Sequence, residues 1–410
     1  MEKALSSIAD ITMGISPKGI TYNREKLGLP LLNGPTEFGE VFPNCTFYTN
    51  SSIKECKKGD LIFCVRASTG VMNWADKNYS LGRGVCSIRG KNFNDTKYIQ
   101  YCLEVKLEQL LQLSTSGSVF SNLSKNDLEN FKIPFSKNRY KIISIISNYE
   151  NLIQINYERI KILEKITQNI YQNWFTKFNF PGKKNISLIN SELGKIPKGW
   201  KILTLGNIAK INKGKSYKSE EISTEAGKLF INLKCIAKGG GFRRDGLKKY
   251  TGTYNNTHTV SRGDIVIAVT DMTQERAIIG RVARIGDLVE QIYIISLDLV
   301  SIMPFEKIGK NYLYSLLRFS NFSEIVKNYA NGTNVLHLNP KSIENFKILL
   351  PPFDLIQQYE KIVKQIFNKI DIHNNVIQKL KKIRNLILPK LIYGKIDISN
   401  LNIKENNKVA

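Results

Sequence analysis

The sequence predicts an α+β fold in which two copies of one β-rich domain are separated by two long antiparallel helices, a coiled coil with pseudo-two-fold symmetry. Two observations lead to this prediction. Short strings recur in the same order in both halves of the 410-residue chain, and each half ends in a long stretch with helical spacing of apolar residues. A chain of this length exceeds one ordinary domain, so more than one core is expected.

Three pairs of strings define the repeat. The pairs are Leu5-Ser-Ser-Ile-Ala-Asp-Ile-Thr-Met-Gly14 with Leu205-Gly-Asn-Ile-Ala-Lys-Ile-Asn-Lys-Gly214, Lys58-Gly-Asp-Leu-Ile-Phe63 with Arg262-Gly-Asp-Ile-Val-Ile267, and Glu129-Asn-Phe-Lys-Ile133 with Glu344-Asn-Phe-Lys-Ile348. The second pair is typical of a turn that leads into an apolar strand. Because all three pairs keep the same order along the chain, they indicate a duplicated domain.

A proline follows each copy, and apolar residues then recur at steps of three and four through residues 142–174 and 355–391. This spacing is typical of a helix–helix seam, and helices of such length need a long partner. Each helix is therefore expected to pack against the other. The resulting boundaries are a first domain at 1–136, a first helix at 137–178, a linker at 179–200, a second domain at 201–352, a second helix at 353–393 and a tail at 394–410.

The apolar seam is interrupted near the middle of both helices. Aligning the two apolar patterns places Asn156 on His373. In an antiparallel pair these side chains would meet, and a polar seam residue can fix the register of two helices. The alternative is that both side chains point outward into solvent.

Composition favours a polyanionic partner. Lys and Arg number 60 against 35 Asp and Glu, a formal charge of +25, and such an excess favours nucleic acid over an anionic membrane surface. The sequence contains no long apolar span and its first residues do not resemble a signal peptide, so a cytoplasmic location is expected. The six cysteines lack paired spacing, which favours buried free thiols over zinc ligands or disulfides.

Sequence motifs for catalysis are not found. Lys213-Gly-Lys-Ser216 lacks the first glycine of a phosphate-binding loop, because Ala209 stands there, and the three histidines lie in no zinc-binding context. The Asn-Pro-Pro-aromatic motif of adenine methyltransferases is also missing, since Asn339-Pro340 is followed by Lys341. We therefore expect a chain that is not an enzyme, binds no metal and carries no cofactor of its own.

Several further strings carry a family resemblance. They are Leu29-Pro-Leu-Leu-Asn-Gly-Pro-Thr-Glu-Phe-Gly39, Val65-Arg-Ala-Ser-Thr-Gly70, Leu81-Gly-Arg-Gly84, Asn173-Trp-Phe-Thr-Lys-Phe178 and Ser191-Glu-Leu-Gly-Lys-Ile-Pro-Lys-Gly-Trp200. With the order of domain, helix, domain and helix, this set resembles the specificity subunit of type I restriction-modification systems. The second domain departs further from the family's patterns than the first.

The resemblance implies that each domain reads one half of a split DNA target, while the helices set the unread gap between the halves. It also implies two separate methyltransferase subunits, which would flip an adenine for N6-methylation with S-adenosylmethionine, and restriction subunits that use ATP and Mg²⁺. These cofactors would belong to the partner subunits. A stand-alone DNA- or RNA-binding scaffold with the same duplicated fold is the alternative, and an enzyme is the least supported class.

Candidate DNA-binding residues are chosen from polar groups and glycines in loops, because Arg suits guanine, Asn or Gln suits adenine, and Gly permits close approach to a phosphate. In the first copy they are Lys18, Tyr22, Asn33, Arg66, Ser68, Thr69, Arg83, Ser116, Gly117 and Ser118. In the second copy they are Lys215, Tyr217, Lys218, Arg243, Arg244, Thr270, Asp271, Thr273, Gln274, Asn331, Gly332 and Thr333. Residues 201–262 hold 13 Lys or Arg against four Asp or Glu. A solvated surface lysine, or a turn without a ligand, remains the alternative for each position taken singly.

Overall fold

The computed structural model describes residues 1–113, 122–182, 186–272, 275–288, 290 and 292–402. The chain divides into two units, one formed by Met1–Ile153 with the chain from Lys379 onward, the other by Gln154–Gln378. The division falls within both long helices, so each unit holds one domain together with a segment of each helix.

The first domain and the first long helix contain the following elements. They are β1 (Glu2–Ala4), β2 (Ala9–Met13), β3 (Tyr22–Asn23), β4 (Leu29–Leu32), β5 (Tyr48–Thr49), β6 (Glu55–Cys56), β7 (Leu61–Cys64), β8 (Met72–Trp74), β9 (Tyr79–Leu81), β10 (Val85–Gly90), α1 (Phe93–Val105), α2 (Leu107–Leu111), α3 (Lys125–Asn130), β11 (Lys132–Pro134) and α4 (Arg139–Tyr171). A π-helical turn, Gln172–Thr176, extends α4.

A hairpin precedes the second domain, and the second long helix follows it. These elements are β12 (Leu188–Ser191), β13 (Gly194–Pro197), β14 (Lys201–Thr204), β15 (Ala209–Lys213), β16 (Ile222–Ser223), β17 (Lys228–Ile231), β18 (Lys248–Tyr250), β19 (Thr259–Val260), β20 (Ile265–Ala268), β21 (Thr270–Asp271), β22 (Val282–Arg284), β23 (Tyr293–Ile295), β24 (Leu299–Pro304), α5 (Lys310–Phe319), α6 (Phe322–Val326), β25 (Leu336–His337), α7 (Pro340–Glu344), β26 (Lys347–Leu350) and α8 (Phe353–Ile392).

The two domains share one topology. Each has a four-stranded sheet, ordered β2-β10-β7-β8 in the first and β15-β24-β20-β22 in the second. Each has a five-stranded sheet, ordered β3-β5-β4-β9-β6 and β16-β18-β17-β23-β19, and a short ladder that joins the start of the domain to its end, β1-β11 and β14-β26. This agreement confirms the predicted duplication of a β-rich domain.

The repeated strings occupy equivalent places. The N–H of Leu5 donates to the carbonyl of Phe131, and the N–H of Leu205 donates to Phe346, each at 2.9 Å. The first and third pairs of strings therefore meet in space in both domains. In the Gly-Asp turns, Asp60 accepts from the N–H of Lys57 at 2.9 Å and Asp264 accepts from Ser261 at 2.8 Å. The strings recur because they specify local backbone bonds.

Each unit packs its helix segments antiparallel. In the first unit, the start of α4 and the end of α8 share one apolar core, in which Ile142 and Ile146 lie with Leu388 and Leu391. In the second unit, Tyr171 at the end of α4 lies against Tyr359 near the start of α8, with 6.4 Å between ring centroids. The neighbouring aromatics Trp174 and Phe175 are buried in this cluster.

The predicted polar contact in the helix seam is present. The Nδ1 atom of His373 lies 2.7 Å from the Oδ1 atom of Asn156, a hydrogen bond between α8 and α4 within the second unit. Asn156 is buried at 6% exposure. Because an unmatched polar group in an apolar seam is costly, this pair favours the register in which the two residues face each other.

The cysteines are free thiols, five of them buried and Cys45 partly so. Burial raises the pKa of Cys56 to about 12 and that of Cys235 to about 11. In the part of the chain described above, no helix is long and apolar enough to cross a membrane.

The Asn156–His373 pair predicts a pH dependence. Burial, together with repulsion from Arg159 and Lys369, lowers the pKa of His373 from its ordinary value of about 6.5. The unfolded chain therefore binds more protons at this residue, so its stabilising contribution is complete above pH 6.5 and declines as the pH falls below that value. We expect wild type to lose thermal stability relative to His373→Asn between pH 7.5 and 5.5. A difference in melting temperature that does not change with pH would contradict this assignment.

Candidate nucleic-acid interface

Four loops of the first domain converge at the end of its two sheets. We call residues 14–18, 32–34, 65–70 and 82–84 the first loop cluster. The N–H of Ile15 donates to Leu81 at 2.9 Å, Gly82 donates to Leu32 at 2.7 Å, and Val65 donates to Gly84 at 2.9 Å. Backbone bonds thus tie all four loops together, so they present their side chains from one rigid base.

Glycines make this convergence possible. A Cβ atom on Gly14 would lie 2.1 Å from the carbonyl oxygen of Gly82. On Gly82 it would lie 2.2 Å from Oδ1 of Asn33, and on Gly84 it would lie 2.1 Å from the carbonyl oxygen of Asn33. Any larger residue at these positions would push the loops apart, because these distances are well inside van der Waals contact.

The first loop cluster presents three exposed basic side chains, those of Lys18, Arg66 and Arg83. The N–H of Arg83 donates to Oγ of Ser16 at 3.1 Å, which joins the loop of Arg83 to the loop of Lys18. Exposed cations on a rigid base are suited to bind phosphate or the edge of a guanine.

The other candidates of the first domain lie in or beside the same cluster. Ser68 is exposed, whereas Asn33, Thr69 and Tyr22 are half-buried. The hydroxyl of Tyr22 donates to the carbonyl of Pro17 at 3.3 Å and so supports the turn that holds Lys18. Ser116, Gly117 and Ser118 lie outside the described residues.

The second domain builds an equivalent arrangement. We call residues 214–218, 231–232, 269–271, 296–298 and 331–338 the second loop cluster. The N–H of Lys215 donates to Ile295 at 2.8 Å, Ser296 donates to Ile231 at 2.9 Å, and Val269 donates to Asp298 at 2.9 Å. Each bond has a counterpart in the first loop cluster, so the duplication extends to the loops that carry the candidate residues.

The side chains of the second loop cluster differ from those of the first. Lys218 is exposed and Lys215 is half-buried. Tyr217 packs edge-on against Phe230, with ring centroids 4.9 Å apart, and burial raises the pKa of its hydroxyl. The two loop clusters therefore have similar backbones but present different side chains, as expected for two readers of different sequences.

The loop at 331–337 closes on itself next to β21. Asn331 and His337 exchange two backbone hydrogen bonds, at 3.0 and 2.8 Å. Gly332 has a φ of +143°, and a Cβ there would lie 2.0 Å from the carbonyl oxygen of Val335. Asn331, Gly332 and Thr333 are all exposed. The pairing of Thr270 with His337 holds this loop within the second loop cluster.

Two predicted readers of the second domain are buried. Thr270 donates to Oδ1 of Asp298 at 2.9 Å. Asp271, 2% exposed, accepts from the N–H of Ile278 at 2.8 Å and from the N–H of Ile279 at 3.3 Å. Both side chains therefore help to hold the loop in place, and their predicted contact with bases stays a prediction. Thr273 and Gln274 lie outside the described residues.

Arg243 and Arg244 do not join the second loop cluster. Arg243 pairs with Asp245 on the surface. Arg244 is half-buried and donates to the carbonyl of Asp287 at 2.5 Å and to Oδ1 of Asn375, on α8, at 3.0 Å. Burial lowers the pKa of Arg244, against the attraction of Asp371 and Asp287. Arg244 thus holds the second domain on α8, which its place in a basic segment of the sequence does not indicate.

One loop differs in length between the two clusters although its base is the same. The N–H of Gly70 donates to Cys64 at 2.9 Å, and the N–H of Gly280 donates to Ala268 at 2.8 Å. Both glycines have positive φ, +96° and +74°. The residues enclosed are 65–69 in the first domain and 269–279 in the second, so the second domain carries the longer loop on an unchanged base.

The sequence analysis did not single out Asn232, which helps to position the second loop cluster. The parallel ladders pair Leu32 with Leu81 and Ile231 with Ile295, which makes Asn232 the equivalent of Asn33. Asn232 is buried; its amide donates to the carbonyl of Gly246 at 3.3 Å, and its Oδ1 accepts from the N–H of Lys234 at 2.8 Å. An apolar run that ends in Asn stands in both halves of the sequence, and this signal would have found it.

Comparison with known proteins identifies the family. The family model for the type I restriction modification DNA specificity domain matches residues 16–168 and 197–382. The chain belongs to this family of DNA specificity proteins. Each match covers most of one domain and part of the long helix that follows it.

Similar proteins agree with this assignment. The MjaIX specificity subunit of a type I restriction enzyme from Methanocaldococcus jannaschii is 29% identical over 370 residues, covering 86% of this chain and 82% of that protein. The MjaVIII specificity subunit from the same organism is 29% identical over 320 residues, 75% and 72% of the two chains. A crystal structure of the S subunit from M. genitalium has the same fold, with a TM-score of 0.52 at 19% identity and 96% coverage of both chains.

The first loop cluster yields a test with an internal control. We expect Arg66→Ala to lower the salt dependence of binding to random duplex DNA by about one phosphate contact, seen as a reduced slope of log affinity against log salt. Lys91→Ala removes an exposed lysine just beyond the opposite end of β10 and should leave the slope unchanged. A slope for Arg66→Ala that equals those of Lys91→Ala and wild type would contradict the placement of the first loop cluster against DNA.

Proposed function

We propose that this chain gives a type I restriction-modification complex its DNA sequence specificity, by reading a bipartite target with one half-site per domain. The observation that carries the proposal is the pair of equivalent loop clusters, which share a backbone frame and differ in their exposed side chains. A duplicated reader with changed side chains suits two different half-sites, since base edges are distinguished by the groups presented to them.

The long helices would set the distance between the half-sites. α4 has 33 residues and α8 has 40, so α8 is about 60 Å long at roughly 1.5 Å per residue. Readers of split sites bind half-sites separated by about a helical turn of DNA or more. The helices need carry no base information for this purpose.

Catalysis would come from partner subunits. Two methyltransferase subunits would supply S-adenosylmethionine-dependent adenine methylation, and restriction subunits would use ATP and Mg²⁺. The chain itself would act as a non-catalytic DNA-binding subunit in the cytoplasm. A stand-alone binding scaffold is less favoured, since the family match spans both domains.

Exchange of the first domain tests its role as a reader. Replacing residues 1–136 with the first domain of another specificity subunit should change one half-site and leave the other half-site and the gap unchanged. The measurement is sequencing of methylated adenines in cells that express the chimera with its methyltransferase partner. A change in both half-sites would contradict modular reading.

Insertion into the helices tests their role as a spacer. Adding four residues, about one turn, to both α4 and α8 should lengthen the unread gap by one or two base pairs, because a turn rises about 5.4 Å and duplex DNA about 3.4 Å per base pair. Both half-sites should keep their bases. Insertion into α8 alone serves as the control and should abolish the methylation pattern by breaking the helix pairing.

A further inference from the structure

One face of α8 carries the polar groups that hold the second domain. Glu360, Asn368, Asp371 and Asn375 are spaced by eight, three and four residues, so they lie along one side of the helix. Glu360 accepts from the N–H of Asn311 at 2.7 Å and from the N–H of Tyr312 at 2.9 Å, at the start of α5. Asn375 accepts from Arg244 at 3.0 Å and donates to Oδ2 of Asp287 at 2.9 Å, so it bonds the domain in both directions.

Asp371 is the centre of this contact. Its carboxylate is 2% exposed and accepts from Nε of Arg262 at 2.9 Å and from Nη1 of Arg284 at 3.3 Å. A buried carboxylate is tolerated only with such partners, and removing one leaves an uncompensated charge. The cost of displacing Asp371 from this position is therefore high.

The donors come from three separate segments of the domain. Arg262 precedes β20 and also donates to Asn368 at 3.0 Å, Arg284 ends β22, and Arg244 donates to Asn375 at 3.0 Å. We call Arg244, Arg262, Arg284, Asn368, Asp371 and Asn375 the Asp371 network. A single bond would leave the domain free to pivot, whereas attachment at three separated points fixes its rotation.

Packing around Arg284 reinforces this attachment. The guanidinium of Arg284 lies over the ring of Phe367, with 4.9 Å to the centroid, and Tyr314 of α5 meets the same ring edge-on at 5.4 Å. Asn311 accepts from Nε of Arg284 at 3.3 Å and donates to Glu360 at 2.8 Å. The network is thus continuous from the four-stranded sheet to the helix.

The first unit fastens its domain to α8 with the opposite charge. There Arg384 of α8 donates to Glu104 of α1 at 2.7 Å and to Glu150 of α4 at 3.0 Å. The helix is therefore anionic at Asp371, where it meets the second domain, and cationic at Arg384, where it meets the first. Substitutions at Asp371 should therefore alter how α8 holds the second domain without removing the Arg384 contacts to the first.

We propose that the Asp371 network fixes the angle at which α8 holds the second domain, and thereby determines how strictly the protein discriminates the gap between the two half-sites. This inference rests on the proposed function. Base preference within each half-site depends on the loop clusters and is separate from it. Loosening the network should let the second domain reach half-sites displaced by one base pair without changing the bases that it reads.

The test uses the complex of the full chain with its methyltransferase partner. Methyl transfer is measured on duplexes that carry both half-sites at the wild-type gap, or at one base pair fewer or more. For Asp371→Asn we expect the preference for the wild-type gap to fall roughly tenfold, as for loss of hydrogen bonds to a charged group. Arg262→Gln removes one half-exposed partner and should give a smaller fall in a variant that keeps the Arg284 bond.

Two matched variants define the controls. Asp354→Asn makes the same substitution at an exposed position in the first turn of α8 and should keep the wild-type gap preference. Asp371→Glu keeps the charge and should restore most of the preference lost in Asp371→Asn. Thermal melting of every complex distinguishes a loosened network from an unfolded domain.

Three results would overturn the inference. One is an unchanged gap preference in folded Asp371→Asn and Arg262→Gln. Another is a change in the bases read at an unchanged gap preference, which would assign the network to base reading. A wild-type complex that recognises no bipartite target would overturn the proposed function itself, and the inference with it.

Discussion

The fold of each domain depends on one close approach between backbones. It lies where the chain leaves the four-stranded sheet, at the end of β2 or β15, and passes to the five-stranded sheet. Gly14 donates to Val85 of β10 at 3.0 Å, and the next residue, Ile15, donates to Leu81 of β9 at 2.9 Å. A side chain at this crossing would collide with a carbonyl oxygen 2.1 Å away at Gly14 and 2.0 Å away at Gly214. The glycine that ends the repeated L-x-x-I-A-x-I-x-x-G string is therefore required, and the loops of both clusters leave the sheets around it.

The features predicted from sequence are those that local backbone geometry or helical spacing encodes. The duplication was visible because its strings specify a 3-10 turn (Leu5–Ser7 and Leu205–Asn207), a Gly-Asp turn and a closing strand, each with a fixed hydrogen bond. The contact between Asn156 and His373 was visible because the apolar seam has a period that aligns the two helices. Both kinds of signal are read along the chain without knowledge of what lies across from it.

The roles of polar residues were harder to predict, because the sequence does not show whether a charged side chain faces solvent or another part of the fold. Arg66 and Arg83 are exposed in a loop cluster, whereas Arg244 and Arg284 are directed toward α8. Asp271 holds its own loop through two backbone N–H groups that are seven and eight residues away. The net charge of +25 thus combines side chains that face solvent with side chains that fasten the domain, and only the fold separates the two groups.

The shared loop base has a consequence for how such proteins change over evolutionary time. The same pair of backbone bonds, made by Gly70 with Cys64 and by Gly280 with Ala268, closes both a short and a long loop. In-frame insertions or deletions between these anchors leave the strands on either side in register. The length and the chemistry of this loop can therefore change through insertions or deletions at one place in the gene, while both sheets keep their hydrogen bonds.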